Sequence, residues 1–412
     1  MSHVPRQMNP NHKMTNRKYF NLVAALLIAL FTISAISVDR LRTTVVWLSD
    51  PARDGRKAGT AGARAASEYL AEQFKGAGFD VQIQDFGVNR RNVVAKSGTA
   101  ERYVLIGAHY DGQGTGFPSA SDNAAGVAVV LEVARELKSK SLPVSIVAIA
   151  FDAEEEGLIG SRYYTDHPLY PLDKAQAAIV LDTMGRTFID LPTWTMFVLG
   201  AENSPELAGL VQKRSGPEML VVGSDLIGPR SDFAPFALKH VPYLFFSHAT
   251  HRDYHGPGDT PDRVNYAKLA QDTTLIEQVV EDIARLQTPP QYLAQPVYPR
   301  DETASLKREM QTVLKEYKDL PAAYRMMFDD FQARLAADDS REVRRVATSA
   351  LLALATPRFS SFMLGFIVAP YYEHEGAKEI AAAAWEEAAK WGDESFRHDA
   401  EEKIRSLRGD QR

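Results

Sequence analysis

The sequence predicts a three-layer α/β/α domain with a mostly parallel central sheet, followed by a C-terminal all-helical region. Two strand candidates, YVLIGA at 103–108 and VSIVAIAF at 144–151, are apolar almost throughout, as are strands of sheets that are covered on both faces. Strand and helix patterns alternate as far as residue 286, which is typical of parallel sheets. Four prolines at 289–299 then end this region, and the composition becomes rich in Ala, Glu, Lys and Arg.

The first 40 residues predict export. The run at 19–38, whose only strongly polar residue is Asn21, follows several basic residues and has about the 20 residues that span a bilayer. It therefore predicts an uncleaved signal anchor. Small residues at Ala35 and Ser37 equally fit a cleavable signal peptide. In both cases the chain after Asp39 is predicted to be extracytoplasmic, periplasmic or secreted, and anchored to the membrane if the run is retained.

Bulk composition excludes some partners and chemistries. At 412 residues, the chain is long enough for two or three domains of roughly 100–200 residues each. Its 47 Lys and Arg against 53 Asp and Glu give a net charge of −6 without a basic block, so nucleic acid is not an expected partner. Cysteine is absent. Any metal must therefore be held by histidine and carboxylate.

The elements follow from hydrophobic periodicity along the chain. After a linker, a helical pattern covers Asp50 to Gly78, with one face formed by Ala65, Tyr69, Leu70 and Phe74. Next come strands at 81–86, 103–108, 144–151, 177–181, 196–199 and 243–247, with helices at 126–138 and 266–286. Beyond the linker at 289–300, the helices are predicted near 302–318, 321–336, 340–355, 360–371, 376–391 and 394–408. The predicted domains are 1–40 (cytoplasmic start plus export segment), 41–288 (α/β), and 301–412 (helical).

Acid and imidazole side chains follow several of these strands directly. His109 comes after the strand at 103–108, Glu154 and Glu155 after that at 144–151, and Asp182 after that at 177–181. Ligands of parallel sheets bind at the carboxyl ends of the strands, so these groups are expected to meet. With Asp122 and a histidine near 255, they are a donor set for a pair of divalent metal ions, and such pairs usually serve hydrolysis.

Each of these residues also has an ordinary structural interpretation. Asp122 could cap the helix that follows it, and Asp182 could cap a helix or accept a salt bridge. Asp111 lies two residues after His109, on the same side of an extended segment, where its carboxylate could accept the imidazole N–H. Spacing alone does not choose among the four histidines that cluster near the last strand, His240, His248, His251 and His255.

Five ordered motifs, GAHYDG, SDNAAG, AEEEGLIGS, LDTMG and YHGPGDTPD, resemble those of the M28 family of metallopeptidases, the co-catalytic dizinc aminopeptidases and their relatives. The resemblance covers about residues 50–286. It implies two Zn²⁺ ions per chain, with His109, Asp122 and Asp182 around one and Glu155, His255 and the shared Asp122 around the other.

The resemblance also implies roles for further residues. Glu154 would be the general base, Asp111 would orient His109, and Tyr254 would donate to the developing oxyanion. The peptide bond between Asp122 and Asn123 is expected to be cis, as it often is in the family. Phe233 and His240 stand where the family commonly has histidine and glycine, so the specificity pocket does not follow from the resemblance.

The predicted function is an exported zinc aminopeptidase that acts on peptides with a free N-terminus through a two-metal-activated hydroxide, with Glu154 as the base. A carboxypeptidase, a glutaminyl-cyclase-like enzyme or a non-catalytic receptor-like relative are the alternatives. A carboxypeptidase would need a cation such as Arg186, Arg230 or Arg252 facing the substrate carboxylate. An aminopeptidase would need an acid such as Glu156 facing the α-amine.

Overall fold

The computed structural model describes Met1 and residues 36–216, 218–355 and 357–409, without the side chains of 357–359. Most of the predicted export segment therefore lies outside the described residues. Within the described ranges, no helix is both long and apolar enough to cross a membrane.

Eight strands in the described part of the chain form one sheet, which confirms the predicted fold class. The order across the sheet is β1-β2-β4-β3-β5-β8-β6-β7. The four central strands, β4, β3, β5 and β8, are mutually parallel, whereas β1, β2 and β6 add antiparallel pairings. The strands are β1 Asp80–Phe86, β2 Arg90–Ser97, β3 Tyr103–His109, β4 Ser145–Phe151, β5 Ala175–Leu181, β6 Met196–Leu199, β7 Met219–Val221 and β8 Tyr243–Ser247.

Two of these strands were not predicted. β2 begins with two arginines, and only its centre, Val93 to Ala95, is buried and apolar. It lies between β1 and β4, so its backbone pairing on both sides compensates for a short apolar run. β7 has three residues, which is too short for a periodic pattern.

Helices cover both faces of the sheet. Those of the α/β part are α1 Val38–Ser49, α2 Ala61–Gly76, α3 Ala125–Lys138, α4 Ile159–Asp166, α5 Pro205–Arg214, α6 Phe233–Leu238 and α7 Tyr266–Ala284. Helix α1 occupies part of the predicted linker. Its β-branched residues weaken intrinsic helix propensity, but Leu41, Val45 and Leu48 are buried on one face, so packing stabilises the helix.

The predicted helix from Asp50 begins later than expected. Pro51–Arg56 form a short 3₁₀ turn, and α2 starts only after Thr60, whose side chain accepts a hydrogen bond from the Ala63 N–H. Gly55 has a φ of 63°, and a Cβ there would lie 1.8 Å from the carbonyl oxygen of Gly114. The turn therefore requires glycine, and it directs Arg56 inward, where its side chain is fully buried.

The C-terminal region is helical, as predicted. Its helices are α8 Glu302–Glu316, α9 Ala322–Ala337, α10 Arg341–Ala355, α11 Pro357–Met363, α12 Ala369–His374, α13 Lys378–Ala389 and α14 Glu394–Arg408. One apolar core runs from the sheet, at Leu199 and Phe245, into these helices at Leu306, Met310 and Leu351. The helical region therefore packs directly on the β6–β8 side of the sheet. The division into domains at 289–300 stays a prediction.

The proline-rich segment lies against the α/β part. The backbone N–H groups of Leu293 and Val297 donate to the carbonyls of Asn203 and Glu202, both at 2.7 Å. Tyr292 stacks on the ring of His240 at 5.0 Å. These contacts fix the path by which the chain returns to begin α8.

Candidate metal centre and adjoining cavity

The predicted site residues lie together at the carboxyl edge of the sheet. His109 ends β3, Asp182 directly follows β5, and Glu154 and Glu155 follow β4. Asp122 lies in the turn Ala120–Ala124 ahead of α3, and His255 lies in the loop after β8. This edge is where ligands bind in parallel sheets, so the topology alone brings together residues that are far apart in the chain.

Asp122 joins two groups of potential metal ligands. His109 Nε2 lies 3.3 Å from Asp122 Oδ1 and 3.4 Å from Asp182 Oδ1. His255 Nε2 lies 3.1 Å from Asp122 Oδ2 and 3.2 Å from Glu155 Oε2. The candidate ligand atoms of each group lie within 4.8 Å of one another. We call His109, Asp122, Glu155, Asp182 and His255 the ligand cluster.

The hydrogen bonding of these atoms fits a cation. Asp122 Oδ2, Glu155 Oε1 and His255 Nε2 are buried, and apart from the close approach of His255 Nε2 to the carboxylates of Asp122 and Glu155, none has a hydrogen-bond partner among the described residues. Buried polar atoms without partners are costly. Carboxylate oxygen and imidazole nitrogen are zinc ligands, so the unpartnered atoms and the type of donor agree with the predicted ligand set.

The charges of the cluster are crowded. Burial raises the pKa of Glu154 well above its ordinary value, and the charges of Asp182, Asp232 and Glu155 raise it further, against the lowering effect of His109. Burial would lower the pKa of His255, but the carboxylates of Asp122 and Glu155 raise it to about 10. Neighbouring carboxylates repel one another unless cations neutralise them. A site of this composition favours divalent cations.

Asp111 holds the loop that carries the two glutamates. Its Oδ1 accepts the Glu154 N–H at 3.1 Å, and its Oδ2 accepts the Glu155 N–H at 3.2 Å. Its carboxylate also lies 3.5 Å from His109 Nδ1. Asp111 is therefore placed beside His109, as the resemblance implied, and it has a second task at the backbone that the sequence did not indicate.

Asp259 anchors the turn that carries Asp122, and the sequence analysis missed it. Its carboxylate accepts the backbone N–H groups of Ser121, at 3.0 and 3.1 Å, and of Asp122, at 3.1 Å. The Ser121 hydroxyl also donates to it at 2.8 Å. Its place in the quoted segment YHGPGDTPD was the available signal. The peptide bond between Asp122 and Asn123 is cis, as expected.

Arg56 is a second missed anchor. Its guanidinium donates to the backbone carbonyls of Leu48 at 2.6 Å, Tyr110 at 2.8 Å, Pro118 at 2.9 Å and Ser119 at 2.8 Å. Burial lowers its pKa to about 10. Because it joins the segment after β3 to the segment before Asp122, Arg56 fixes the two loops of the site relative to each other. Its place in the segment DGRKAGTAG, within the range of the resemblance, was the available signal.

The other histidines near β8 have structural partners. His248 accepts the Gly185 N–H at 3.0 Å and lies 3.2 Å from Asp272. His251 shares the Ser121 hydroxyl with Asp259. His240 is exposed and stacks on Tyr292. Among these histidines, only His255 reaches the candidate ligand groups.

Tyr254 lies against the cluster. Its ring stacks on that of His255, with ring centroids 3.9 Å apart. Burial raises the pKa of Tyr254 well above its ordinary value, and the charges of Asp122, Asp182, Glu155 and Glu154 act in the same direction. The hydroxyl therefore keeps its proton and can donate a hydrogen bond. The oxyanion role stays a prediction.

Three of the four groups named for recognition of the substrate termini, Glu156 for an aminopeptidase and Arg186 and Arg252 for a carboxypeptidase, contact other residues. Glu156 pairs with Arg90. Arg186 pairs with Asp190 at 2.6 Å and Asp253 at 2.8 Å. Arg252 lies over the ring of Tyr317. Of the four candidates, Arg230 alone lines the cavity beside the cluster.

This cavity has a volume of about 460 Å³ and three kinds of lining. Glu154, Glu155, Asp182, Tyr254 and His255 present polar groups, as do the cations Arg162 and Arg230. Strands β6 and β8 add apolar side chains such as Phe197, Leu199 and Phe245. The C-terminal helices supply what we call the helical wall, which consists of Leu306 and Glu309 from α8 and Thr348, Leu351 and Leu352 from α10.

Comparisons with known proteins identify a family and relatives that this chain resembles. Residues 92–280 match the model described as Peptidase family M28. Aminopeptidase YwaD of Bacillus subtilis is 28% identical over 198 residues, which cover 45% of this chain and 42% of YwaD. A probable lipoprotein aminopeptidase, LpqL of Mycobacterium tuberculosis, is 46% identical over 79 residues, 18% of this chain and 16% of that protein. The chain thus spans less than half the length of these two curated aminopeptidases.

Solved structures share the fold. Glutaminyl cyclase of Porphyromonas gingivalis aligns with a TM-score of 0.52 at 22% identity, covering 60% of this chain and 98% of the cyclase. A Zn-dependent exopeptidase of Parabacteroides distasonis aligns with a TM-score of 0.52 at 19% identity, covering 60% of this chain and 99% of the exopeptidase. Both are matched over almost their whole length, so about two fifths of this chain has no counterpart in either.

Proposed function

We propose that the chain is a zinc-dependent aminopeptidase that removes N-terminal residues from peptides, and the match of residues 92–280 to the model described as Peptidase family M28 supports this. The observation that carries the proposal is the pair of ligand groups that share Asp122, with buried ligand atoms that have no other partner among the described residues. Glu154 lines the same cavity without belonging to either group.

His109, Asp122 and Asp182 would hold one zinc ion, and Asp122, Glu155 and His255 the other. Zinc at this site supplies a Lewis acid that polarises the scissile carbonyl and lowers the pKa of water. Glu154, whose pKa is raised by burial, takes a proton from the attacking water and gives it to the leaving amine. Tyr254 donates a hydrogen bond from its hydroxyl to the oxygen on which charge develops and keeps its proton.

The first test replaces the proposed base. Glu154→Gln keeps the shape of the side chain but cannot take a proton, so we expect turnover of aminoacyl arylamides to fall by about 10²–10⁴-fold. Zinc content, measured by elemental analysis, should stay equal to that of the wild type. Glu156→Gln is the matched control because Glu156 pairs with Arg90. Near-normal turnover in Glu154→Gln would remove Glu154 from this role.

Substrate choice separates aminopeptidase from the alternatives. We expect release of the first residue from a free N-terminus and no release from the acetylated peptide. A carboxypeptidase would shorten the acetylated peptide from its other end. A cyclase, suggested by the shared fold with the Porphyromonas gingivalis enzyme, would convert an N-terminal glutamine into pyroglutamate without cleavage. Zinc binding without any turnover would favour the receptor-like alternative.

We also propose that the protein works outside the cytoplasm. The apolar run at 19–38 behind basic residues supports export, and the similarity to a protein described as a probable lipoprotein aminopeptidase is compatible with it. Cell fractionation followed by N-terminal sequencing of the mature chain tests this. A start near Ser37 indicates a cleaved signal, and an intact start in the membrane fraction indicates an anchor. Recovery of the intact chain in the cytosol would contradict export.

A further inference from the structure

The helical wall of the cavity lies outside the family match, which ends at residue 280. Leu306 and Glu309 are three residues apart on α8 and therefore share a helix face. Both line the cavity together with Thr348, Leu351 and Leu352 of α10. On the side of the sheet, Phe197, Leu199 and Phe245 line it. The cavity beside the ligand cluster is thus completed by helices from a distant part of the chain.

Glu309 is the one acid of this wall. Only 4% of its surface is exposed, and its Oε1 has no hydrogen-bond partner among the described residues. Burial raises the pKa of its carboxyl to about 7, against the lowering effects of Arg308 and of a hydrogen bond with Thr195. A buried carboxylate oxygen without a partner is costly in an apolar surrounding. A cationic or hydrogen-bonding ligand would remove that cost.

Glu309 is remote from the ligand cluster. The C-terminal helices pack on the β6–β8 side of the sheet, and β6 and β7 lie two and three strands away from β5, which Asp182 follows; at the usual strand spacing this is about 9 to 14 Å. No ligand carboxylate is among the groups that shift the pKa of Glu309. The α-amine of a peptide is two bonds from the scissile carbonyl carbon and must lie beside the cluster. Glu309 is therefore placed for the side chain of the substrate and not for its α-amine.

We propose that the helical wall forms the pocket for the side chain of the N-terminal residue, and that Glu309 selects a basic side chain, lysine or arginine. This inference rests on the proposed aminopeptidase function. The aliphatic stem of such a residue lies along Phe197, Leu199, Leu306 and the leucines of α10, and its cationic head meets the carboxylate. A volume of about 460 Å³ accommodates a long side chain.

The kinetic test compares substrates that differ only at the first residue. We expect kcat/KM of the wild type to be higher for arginyl and lysyl arylamides than for the norleucyl one, whose stem is similar and uncharged. In Glu309→Gln, the ratio of arginyl to norleucyl kcat/KM should fall at least about tenfold, because a buried partner of the cation is lost. The control is Glu316→Gln. Glu316 is the last residue of the same helix and pairs with Lys315, so this variant should keep the wild-type ratio.

A binding test separates this inference from the proposed function. Arginine amide and norleucine amide are titrated into zinc-loaded Glu154→Gln protein by calorimetry, with and without Glu309→Gln. Tighter binding of arginine amide that disappears with Glu309→Gln supports the pocket even if the wild type shows no turnover. The inference is overturned if norleucine amide binds as tightly, or if the preference survives in a Glu309→Gln protein with normal zinc content and thermal midpoint.

Discussion

The ligand cluster and the helical wall are two sides of one cavity, and they are built in different ways. The ligand cluster consists of ionisable side chains at strand ends, and polar anchors such as Arg56, Asp111 and Asp259 hold its loops. The helical wall consists of apolar side chains and one acid, Glu309, contributed by helices that pack on the sheet.

This difference separates chemistry from selection. Hydrogen bonds from charged side chains to backbone groups fix the positions of the ligands, so a change in an anchor displaces several ligands at once. Apolar packing tolerates changes of shape at modest cost. We therefore expect substitutions around the ligand cluster to change stability and metal affinity, and substitutions in the helical wall to change substrate preference. Three further predictions test this contrast.

The largest effect is expected at Arg56. Arg56→Met leaves four carbonyls without their donor, three of them in buried hydrogen bonds and one in a partly buried one, which should reduce the free energy of unfolding by about 3 kcal/mol or more. Urea denaturation of the metal-free protein measures this. Arg64→Met, at an exposed pair with Glu68, should change it by less than about 1 kcal/mol. An equal, small loss in both variants would mean that Arg56 does not anchor the site.

The next effect concerns metal affinity. Asp259→Asn weakens the hydrogen bonds that the side chain accepts from the backbone N–H groups of Ser121 and Asp122. Asp259 is not in the ligand cluster, but zinc affinity should still fall about 10–100-fold, because the turn that carries Asp122 is held less firmly. Competition with a chromophoric chelator measures the affinity. Asp262→Asn, at the exposed residue of the same segment, is the control. Matched affinities in the two variants would contradict the role of Asp259.

The smallest effect is a pH dependence of substrate preference. Glu309 is neutral below its pKa of about 7 and negative above it. The arginyl to norleucyl ratio of kcat/KM should therefore rise by about tenfold as pH increases through 7, since the lost ion pair is worth at least that factor. The neighbours that lower the pKa of Glu309 are Arg308 on α8 and Thr195. The residues of α10 that line the cavity, Thr348, Leu351 and Leu352, carry no charge.

Using a ratio cancels the titration of Glu154, of the ligand cluster and of the substrate α-amine, which affect both substrates alike. The ratio in Glu309→Gln should be flat with pH. A wild-type ratio that is equally flat, or that falls as pH increases, would assign the preference to another group.

The central fold was predictable because its strands are long and apolar. β3, β4 and β5 are buried along almost their whole length, and the C-terminal helices repeat apolar residues at helical spacing. The missed elements lack such patterns. β2 has charged ends, β7 is short, and α1 contains residues with weak helix propensity, so their formation depends on neighbours that are distant in sequence.

The sequence by itself determined the fold class and the residues that the strand ends bring together, and it indicated the resemblance to family M28, because short motifs at the ends of buried strands specify these features locally. Only the tertiary structure decided that Asp259 and Arg56 hold the loops, that Glu156 is engaged by Arg90, and that Glu309 faces the cavity. Each of these depends on packing between elements far apart in the chain, and periodicity describes the face of an element but not the partner that covers it.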